Sequence, residues 1–80
     1  MLSNNVVIKQ GAVVKKSVIF SDTVIEEGAR IECAIIDEQV SVGKKAVVGS
    51  MNAEKDIAVV GREYKVEDNT VIEKGEMVEL

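Results

Sequence analysis

Side chains that commonly carry out chemistry are scarce in this sequence. Its 80 residues contain no histidine and one cysteine, Cys33. Zinc sites generally use histidine or cysteine ligands, so a zinc centre is disfavoured, and the chain has no histidine to act as a base. Neither a histidine nor a lysine-rich segment lies near Cys33 in the sequence. This residue is therefore interpreted as structural rather than nucleophilic.

Charged residues form short groups that could in principle bind or catalyse. Acidic pairs occur at Glu26-Glu27, Asp37-Glu38 and Glu67-Asp68, and Gly43-Lys44-Lys45 could touch an anion. A phosphate-binding loop of the GxxxxGK type is absent. All of these groups fall at the corners of the repeat described next, where solvated charge is the expected use. No catalytic residue, metal ligand or cofactor is predicted for this chain.

A large aliphatic residue returns at short, regular spacing. The spacings are 6, 5, 6, 6, 5, 6 and 6 residues up to Val48 and six throughout after Val60, at Ile8, Val14, Ile19, Ile25, Ile31, Ile36, Val42, Val48, Val60, Val66, Ile72 and Val78. The residue two positions earlier is mostly small, and in a strand it points to the same side. A period of six does not match the 3.6 residues per turn of an α-helix, so an amphipathic helix is disfavoured.

The turn residues give independent support for this repeat. All six glycines lie one to three positions after a repeat residue, where a tight corner needs a positive φ. Asp22 and Asn69 take the third position in other repeats, and both types tolerate that conformation. This pattern is similar to the hexapeptide repeat of left-handed parallel β-helices. The sequence therefore predicts an all-β, single-stranded, left-handed parallel β-helix of about four coils, with one domain over residues 1–80.

One segment, residues 50–56, fits no repeat and is predicted to be a loop. It either replaces one strand of a coil or leaves the coil at a corner, and the sequence leaves both possibilities open. A loop that departs from a regular scaffold often carries function. A tolerated surface insertion explains it equally well.

Composition limits the partners and the compartment. The net charge is −4, with acids and bases interspersed, which argues against nucleic-acid binding. No apolar run is long enough to span a membrane, and Met1 to Lys9 lacks the apolar core of a signal peptide. A single cysteine cannot form an intrachain disulfide. A reducing, cytoplasmic location is expected.

The outward positions of the predicted strands are unusually apolar. Coils of 17 residues align Val7 with Val24 on one face and Val18 with Ile35 on another. Ordinary β propensity could explain these residues. We favour the alternative, a candidate docking face made of Val7, Val18, Val24 and Ile35. Because residues 1–5 are too short to cap the first coil, a partner domain or another copy of the chain is expected to cover that end.

A family resemblance follows from the order of these features. The segment SVIFSDTVIEEGARIECAIIDEQVSVGKKAVVG, residues 17–49, followed by a loop, IAVVG and TVIEKG, resembles the C-terminal β-helix of bacterial glucose-1-phosphate adenylyltransferases (ADP-glucose pyrophosphorylases). The resemblance covers about Val6 to Val78. It implies left-handed coils, an exception to the usual right-handed crossover of parallel strands. It also implies an enzyme that makes ADP-glucose and pyrophosphate from ATP and glucose 1-phosphate for glycogen synthesis.

In that family the substrate-binding glycine-rich loop and the metal-binding acids belong to an N-terminal nucleotidyltransferase domain. The resemblance therefore transfers a role rather than catalytic residues: this chain is expected to be the C-terminal, non-catalytic part of a longer enzyme. It would contact its own catalytic domain or other subunits in a homo-oligomer. Two alternatives remain open. One is a free-standing β-helix that self-assembles, and the other is a fragment of a hexapeptide acyltransferase, which the missing histidine opposes.

Overall fold

A computed structural model describes residues 3–80, and every regular element in that range is a β-strand. The twelve strands are β1 Val7–Ile8, β2 Val13–Lys15, β3 Val18–Ile19, β4 Val24–Ile25, β5 Arg30–Glu32, β6 Ala34–Ile36, β7 Ser41–Val42, β8 Val47–Gly49, β9 Ala58–Val60, β10 Lys65–Val66, β11 Val71–Ile72 and β12 Met77–Val78. Each strand ends on or next to one of the repeat residues. Within residues 3–80 no helix is available to cross a membrane.

The strands form three parallel sheets of four, and consecutive strands belong to different sheets. The first sheet has the order β1-β4-β7-β10, the second β2-β5-β8-β11 and the third β3-β6-β9-β12. Residues 17 apart are neighbours in the first coils, as for Ile8 with Ile25 and Ile25 with Val42. The chain is therefore a parallel β-helix of four coils, which confirms the predicted fold.

The core is a column of aliphatic side chains inside the three sheets. The repeat residues from Ile19 to Ile72 are at most 3% exposed, and the small residues two positions earlier, such as Ala29 and Ala46, are fully buried. At the first coil the burial is incomplete, since Ile8 is 38% exposed. Met1 and Leu2, part of the segment predicted to provide no cap, lie outside the described residues.

Most corners contain one residue with a positive φ, usually three positions after a repeat residue. Gly11, Gly28 and Gly75 have it there, as do Asp22 and Asn69. In the two five-residue repeats, the residue with a positive φ lies two positions after the repeat residue and is Lys16 or Cys33. Gly43 and Gly61 do not have a positive φ; a side chain at Gly43 would meet Asp68, and one at Gly61 would meet Glu79. Glycine is needed at these two positions because the next coil approaches closely. The sequence analysis had instead attributed it to a positive φ.

A buried hydroxyl joins two coils at one corner. Thr23 is fully buried, and its Oγ1 donates to the carbonyl of Asp37 at 2.8 Å and accepts from the amide of Val40 at 3.4 Å. Replacing Thr23 by valine keeps the shape and removes both bonds.

We expect Thr23→Val to lower the free energy of unfolding by about 1–3 kcal/mol, because the buried amide of Val40 and the partly buried carbonyl of Asp37 lose their partner. The measurement is urea unfolding followed by circular dichroism. Thr70→Val is the matched control, since Thr70 has the equivalent place in its repeat, is half-buried, and makes no side-chain hydrogen bond with residues 3–80. Equal losses in the two variants would contradict the role of the Thr23 bonds.

The 50–56 segment leaves the β-helix at a corner. β8 belongs to the second sheet and β9 to the third, and Val60 pairs with Ile36. No strand of the coil is replaced, and the insertion lengthens the repeat so that Val42 and Val66 are neighbours. Of the two paths that the sequence left open, the structure has the one in which the loop leaves the coil at a corner.

Candidate docking surface and loop corner

The outward side chains form one ladder on each sheet. All twelve are half-buried or exposed, as expected for alternating strands. The first sheet presents Val7, Val24, Ser41 and Lys65, in register. The second presents Val13, Arg30, Val47 and Val71. Each of these two ladders therefore contains at least one polar or charged residue.

The third sheet differs because its ladder is apolar from end to end. Val18, Ile35, Val59 and Met77 are neighbours on successive coils. Ile35 is 37% exposed and Met77 is 62% exposed. We call these four residues the apolar ladder. Phe20, which is also exposed, follows β3, and the half-buried Ile57 precedes β9.

The four residues of the candidate docking face are paired as the sequence predicted. Val7 is beside Val24 on the first sheet, and Val18 is beside Ile35 on the third. The two pairs lie on different sheets, so they do not form one continuous surface. The sequence did not connect Val59 and Met77 to the second pair. To place Val59 and Met77 beside Val18 and Ile35, one must know the path of the 50–56 loop, because that path decides which sheet β9 joins.

The loop corner is held by one ion pair and one buried side chain. Lys16 Nζ lies 2.9 Å from Glu54 Oε2, and Ala53 is buried against the coil. Between the loop and the corner is a cavity of about 50 Å³ lined by Lys15, Lys16, Glu32, Cys33, Met51 and Asn52. A cavity of this size holds one or a few waters and is far too small for a nucleotide.

The Lys16–Glu54 pair shifts two pKa values. The hydrogen bond from Lys16 holds the pKa of Glu54 below its ordinary value, and the same bond raises the pKa of Lys16. The stabilising effect of Glu54 is complete above the ordinary glutamate pKa and is lost as the pH falls through the lowered value. That of Lys16 is complete below the ordinary lysine pKa and is lost as the pH rises through the raised value. Both side chains are well exposed, so the effect on global stability is small.

We expect Lys16→Met to return the pKa of Glu54 toward its ordinary value and to speed amide hydrogen exchange in residues 51–55, because the ion pair restrains the loop. NMR titration of the Glu54 carboxyl carbon measures the first effect, and exchange measures the second. Lys15→Met removes a neighbouring charge that has no ion pair in residues 3–80 and is the control. An unchanged Glu54 pKa in Lys16→Met would show that the pair does not form in solution.

The groups considered for chemistry do not converge on one site. Cys33 is buried at one corner, and Asp37-Glu38 follows β6 at another. Glu26-Glu27 and Glu67-Asp68 share a third corner, on either side of Lys44-Lys45: the amide of Lys45 donates to the carbonyl of Glu27 at 3.0 Å, and the amide of Asn69 donates to the carbonyl of Lys44 at 2.9 Å. Among residues 3–80, no three or more histidine, cysteine or acidic side chains come together in a way that could hold a metal ion. Asp68 has a structural role at its corner, since its carboxylate accepts a hydrogen bond from the amide of Lys44 at 2.8 Å.

These features define a class of protein: a hexapeptide-repeat β-helix domain with an apolar ladder on one outward face. Residues 1–79 match the family model described as the GMPPB C-terminal domain, and the chain belongs to that family. The family is a left-handed β-helix domain of sugar-nucleotide pyrophosphorylases, which are nucleotidyltransferases. A comparison with solved structures gave no match.

Proposed function

We propose that this chain is the non-catalytic, C-terminal docking domain of a sugar-nucleotide pyrophosphorylase. The observation that carries the proposal is the match to the GMPPB C-terminal domain over residues 1–79. The apolar outward pairs Val7–Val24 and Val18–Ile35 support a docking role, since exposed apolar patches on a small domain commonly mark protein contacts. The partners are the catalytic domain of the same polypeptide and further subunits of a homo-oligomer.

For the reaction of the whole enzyme we propose synthesis of ADP-glucose, which supplies glycogen. A phosphate oxygen of glucose 1-phosphate attacks the α-phosphorus of ATP, and pyrophosphate leaves with the electron pair of the broken P–O bond. The support is the resemblance of residues 17–49 to the β-helix of glucose-1-phosphate adenylyltransferases. ATP and sugar phosphates belong to the cytoplasm, and the free thiol of Cys33 is compatible with that reducing compartment.

Pyrophosphate release tests the proposal. The natural polypeptide that contains this chain is supplied with ATP or GTP, each combined with glucose 1-phosphate or mannose 1-phosphate. We expect the fastest release with ATP and glucose 1-phosphate, and no release from the 80-residue chain alone. A preference for another nucleotide or sugar would overturn the ADP-glucose assignment and keep the enzyme class. Release of pyrophosphate by the isolated chain would overturn its non-catalytic role.

A further inference from the structure

The column of inward side chains is more open at its first coil than at its last. Ile8 is 38% exposed, whereas Ile25, its neighbour on the second coil, is fully buried. Val14, the next inward residue, is only half-buried. In the last coil, by contrast, Val66 and Ile72 are at most 3% exposed. The end of the core that most needs a cover is therefore the N-terminal one.

The first two strands also have one unpaired edge each. β1 and β2 are outer strands of the first and second sheets. The amides of Val7 and Val13 donate toward the second coil, at 3.0 and 2.8 Å. Because successive amides of a strand point to opposite sides, those of Ile8 and Val14 point away from the second coil, and nothing in residues 3–80 accepts a hydrogen bond from them. Such an edge is a template for a further strand.

The third sheet differs, because the beginning of the described chain already pairs with its first strand. The amide of Ser3 donates to the carbonyl of Ile19, in β3, at 3.0 Å. One coil later, the amide of Phe20 makes the same bond to Ile36 at 2.9 Å. Ser3 thus has the place of Phe20, the residue that directly follows β3. In the sequence an aliphatic residue, Leu2, precedes Ser3, as Ile19 precedes Phe20.

Residues 3–5 also form a corner like those of the following coils. The amide of Asp22 donates to the carbonyl of Asn4 at 3.3 Å, as the amide of Gln39 donates to the carbonyl of Ser21 at 3.0 Å one coil later. Asn5 has a φ of 61°, the conformation found at most other corners. The chain therefore enters the described structure as the corner between the third and first sheets of a preceding coil.

We infer that the polypeptide before this chain in the parent enzyme forms one further coil of the β-helix, whose strands pair with β1 and β2. Along this chain, each strand of the third sheet follows one of the second sheet, which in turn follows one of the first. Going backwards from Ser3, the preceding strands therefore lie over β2 and then over β1. With coils of 17 residues, as between Val7 and Val24, these strands fall about three to five and about ten residues before Met1.

This further coil supplies both things that the N-terminal end lacks. Its carbonyls accept hydrogen bonds from the amides of Ile8 and Val14, and its inward side chains cover these two residues. The inward residue over Val14 is predicted to be a large aliphatic one, about four positions before Met1. The catalytic domain then joins the β-helix through this coil, and the N-terminal end is not a surface for a second copy.

Amide hydrogen exchange of the natural polypeptide, resolved to single residues by fragmentation in the mass spectrometer, tests the pairing. We expect the amides of Ile8 and Val14 to exchange within about tenfold of the rates of Ile25 and Ile31, the equivalent amides of the second coil. The amide of the exposed loop residue Met51 is the unprotected reference. Exchange of Ile8 and Val14 as fast as that of Met51 would overturn the inference.

A designed disulfide identifies the segment that covers the edge. Val13→Cys is combined with single cysteines placed within about two residues of the 17-residue spacing before it, because outward residues one coil apart are neighbours, as Val13 and Arg30 are. Under mild oxidation we expect a disulfide within one polypeptide, strongest at the 17-residue spacing. Val13→Cys alone is the control and should stay reduced, since Cys33 is buried. A link between two polypeptides, or no link at any position, would overturn the inference.

This inference rests on the proposed function, which supplies the preceding segment, and the two can fail separately. If the parent enzyme makes a sugar nucleotide but the amides of Ile8 and Val14 exchange freely, only the inference fails. If these amides are protected and the disulfide forms, but the natural polypeptide has no pyrophosphorylase activity, only the proposed function fails.

Discussion

Gly49→Ala is expected to lower the free energy of unfolding by about 3–5 kcal/mol or to prevent folding. A Cβ atom on Gly49 would overlap the carbonyl oxygen of Glu32, its neighbour on the adjacent strand β5. Gly49 also has a φ of 82°. It lies where the chain leaves β8 for the 50–56 loop, so relief of the overlap requires β8 and β5 to separate. Denaturant unfolding and the yield of folded protein measure the effect.

Gly75→Ala is the control that distinguishes the cost of steric overlap from the cost of a positive φ. Gly75 has a similar φ of 76°, but its nearest neighbour to an added Cβ is the Cβ of Asp56 at 3.8 Å. Nine non-glycine residues in residues 3–80 adopt a positive φ, so this conformation alone is tolerated in these corners. We expect Gly75→Ala to cost about 1 kcal/mol. A similar cost for the two substitutions would contradict the overlap at Gly49.

Ile36→Ala is expected to lower the free energy of unfolding by about 2–5 kcal/mol, the range for truncating a buried isoleucine. Ile36 is fully buried in the central column, and its neighbours Ile19 and Val60 on the adjacent coils are fully buried too. Coils on both sides restrict collapse of the cavity, so the upper half of the range is expected. Urea unfolding at low micromolar concentration measures it.

Ile35→Ala is the matched control in the same strand. Ile35 is the preceding residue, points outward and is 37% exposed. Truncating this partly solvated side chain leaves no closed cavity and should cost less than about 1 kcal/mol. A cost for Ile35→Ala as large as for Ile36→Ala would contradict the assignment of inward and outward positions.

The repeat positions could be predicted because alternation in a strand leaves little freedom. Once Ile25 and Val42 are inward, Val24 must be outward, and the structure has this arrangement. The charged groups were predicted to occupy corners for the same reason. The positions two residues before a repeat residue were less decisive, because Tyr64 and Glu76 stand there instead of small residues. Tyr64 packs against the core, whereas Glu76 is exposed and its carboxylate accepts a hydrogen bond from the amide of Glu73 at 2.7 Å.

The path of the 50–56 loop and the full extent of the apolar ladder could not be predicted from the spacing of the repeat residues. An insertion between Val48 and Val60 is compatible with either sheet for β9, and the choice depends on corner geometry. In the structure β8 stays paired with β5 as far as Gly49, and after the loop β9 pairs with β6 of the third sheet. The continuation of Val18 and Ile35 into Val59 and Met77 follows only after that choice.

The most direct test of the proposed function is the intact mass of this polypeptide as its own cell makes it. The proposal predicts a protein several times heavier than 8.7 kDa, with this sequence at its C-terminus and a nucleotidyltransferase domain before it. Mass spectrometry of the native protein, with peptide mapping of the preceding residues, gives the answer. A native mass near 8.7 kDa would contradict the proposal and favour a free-standing β-helix.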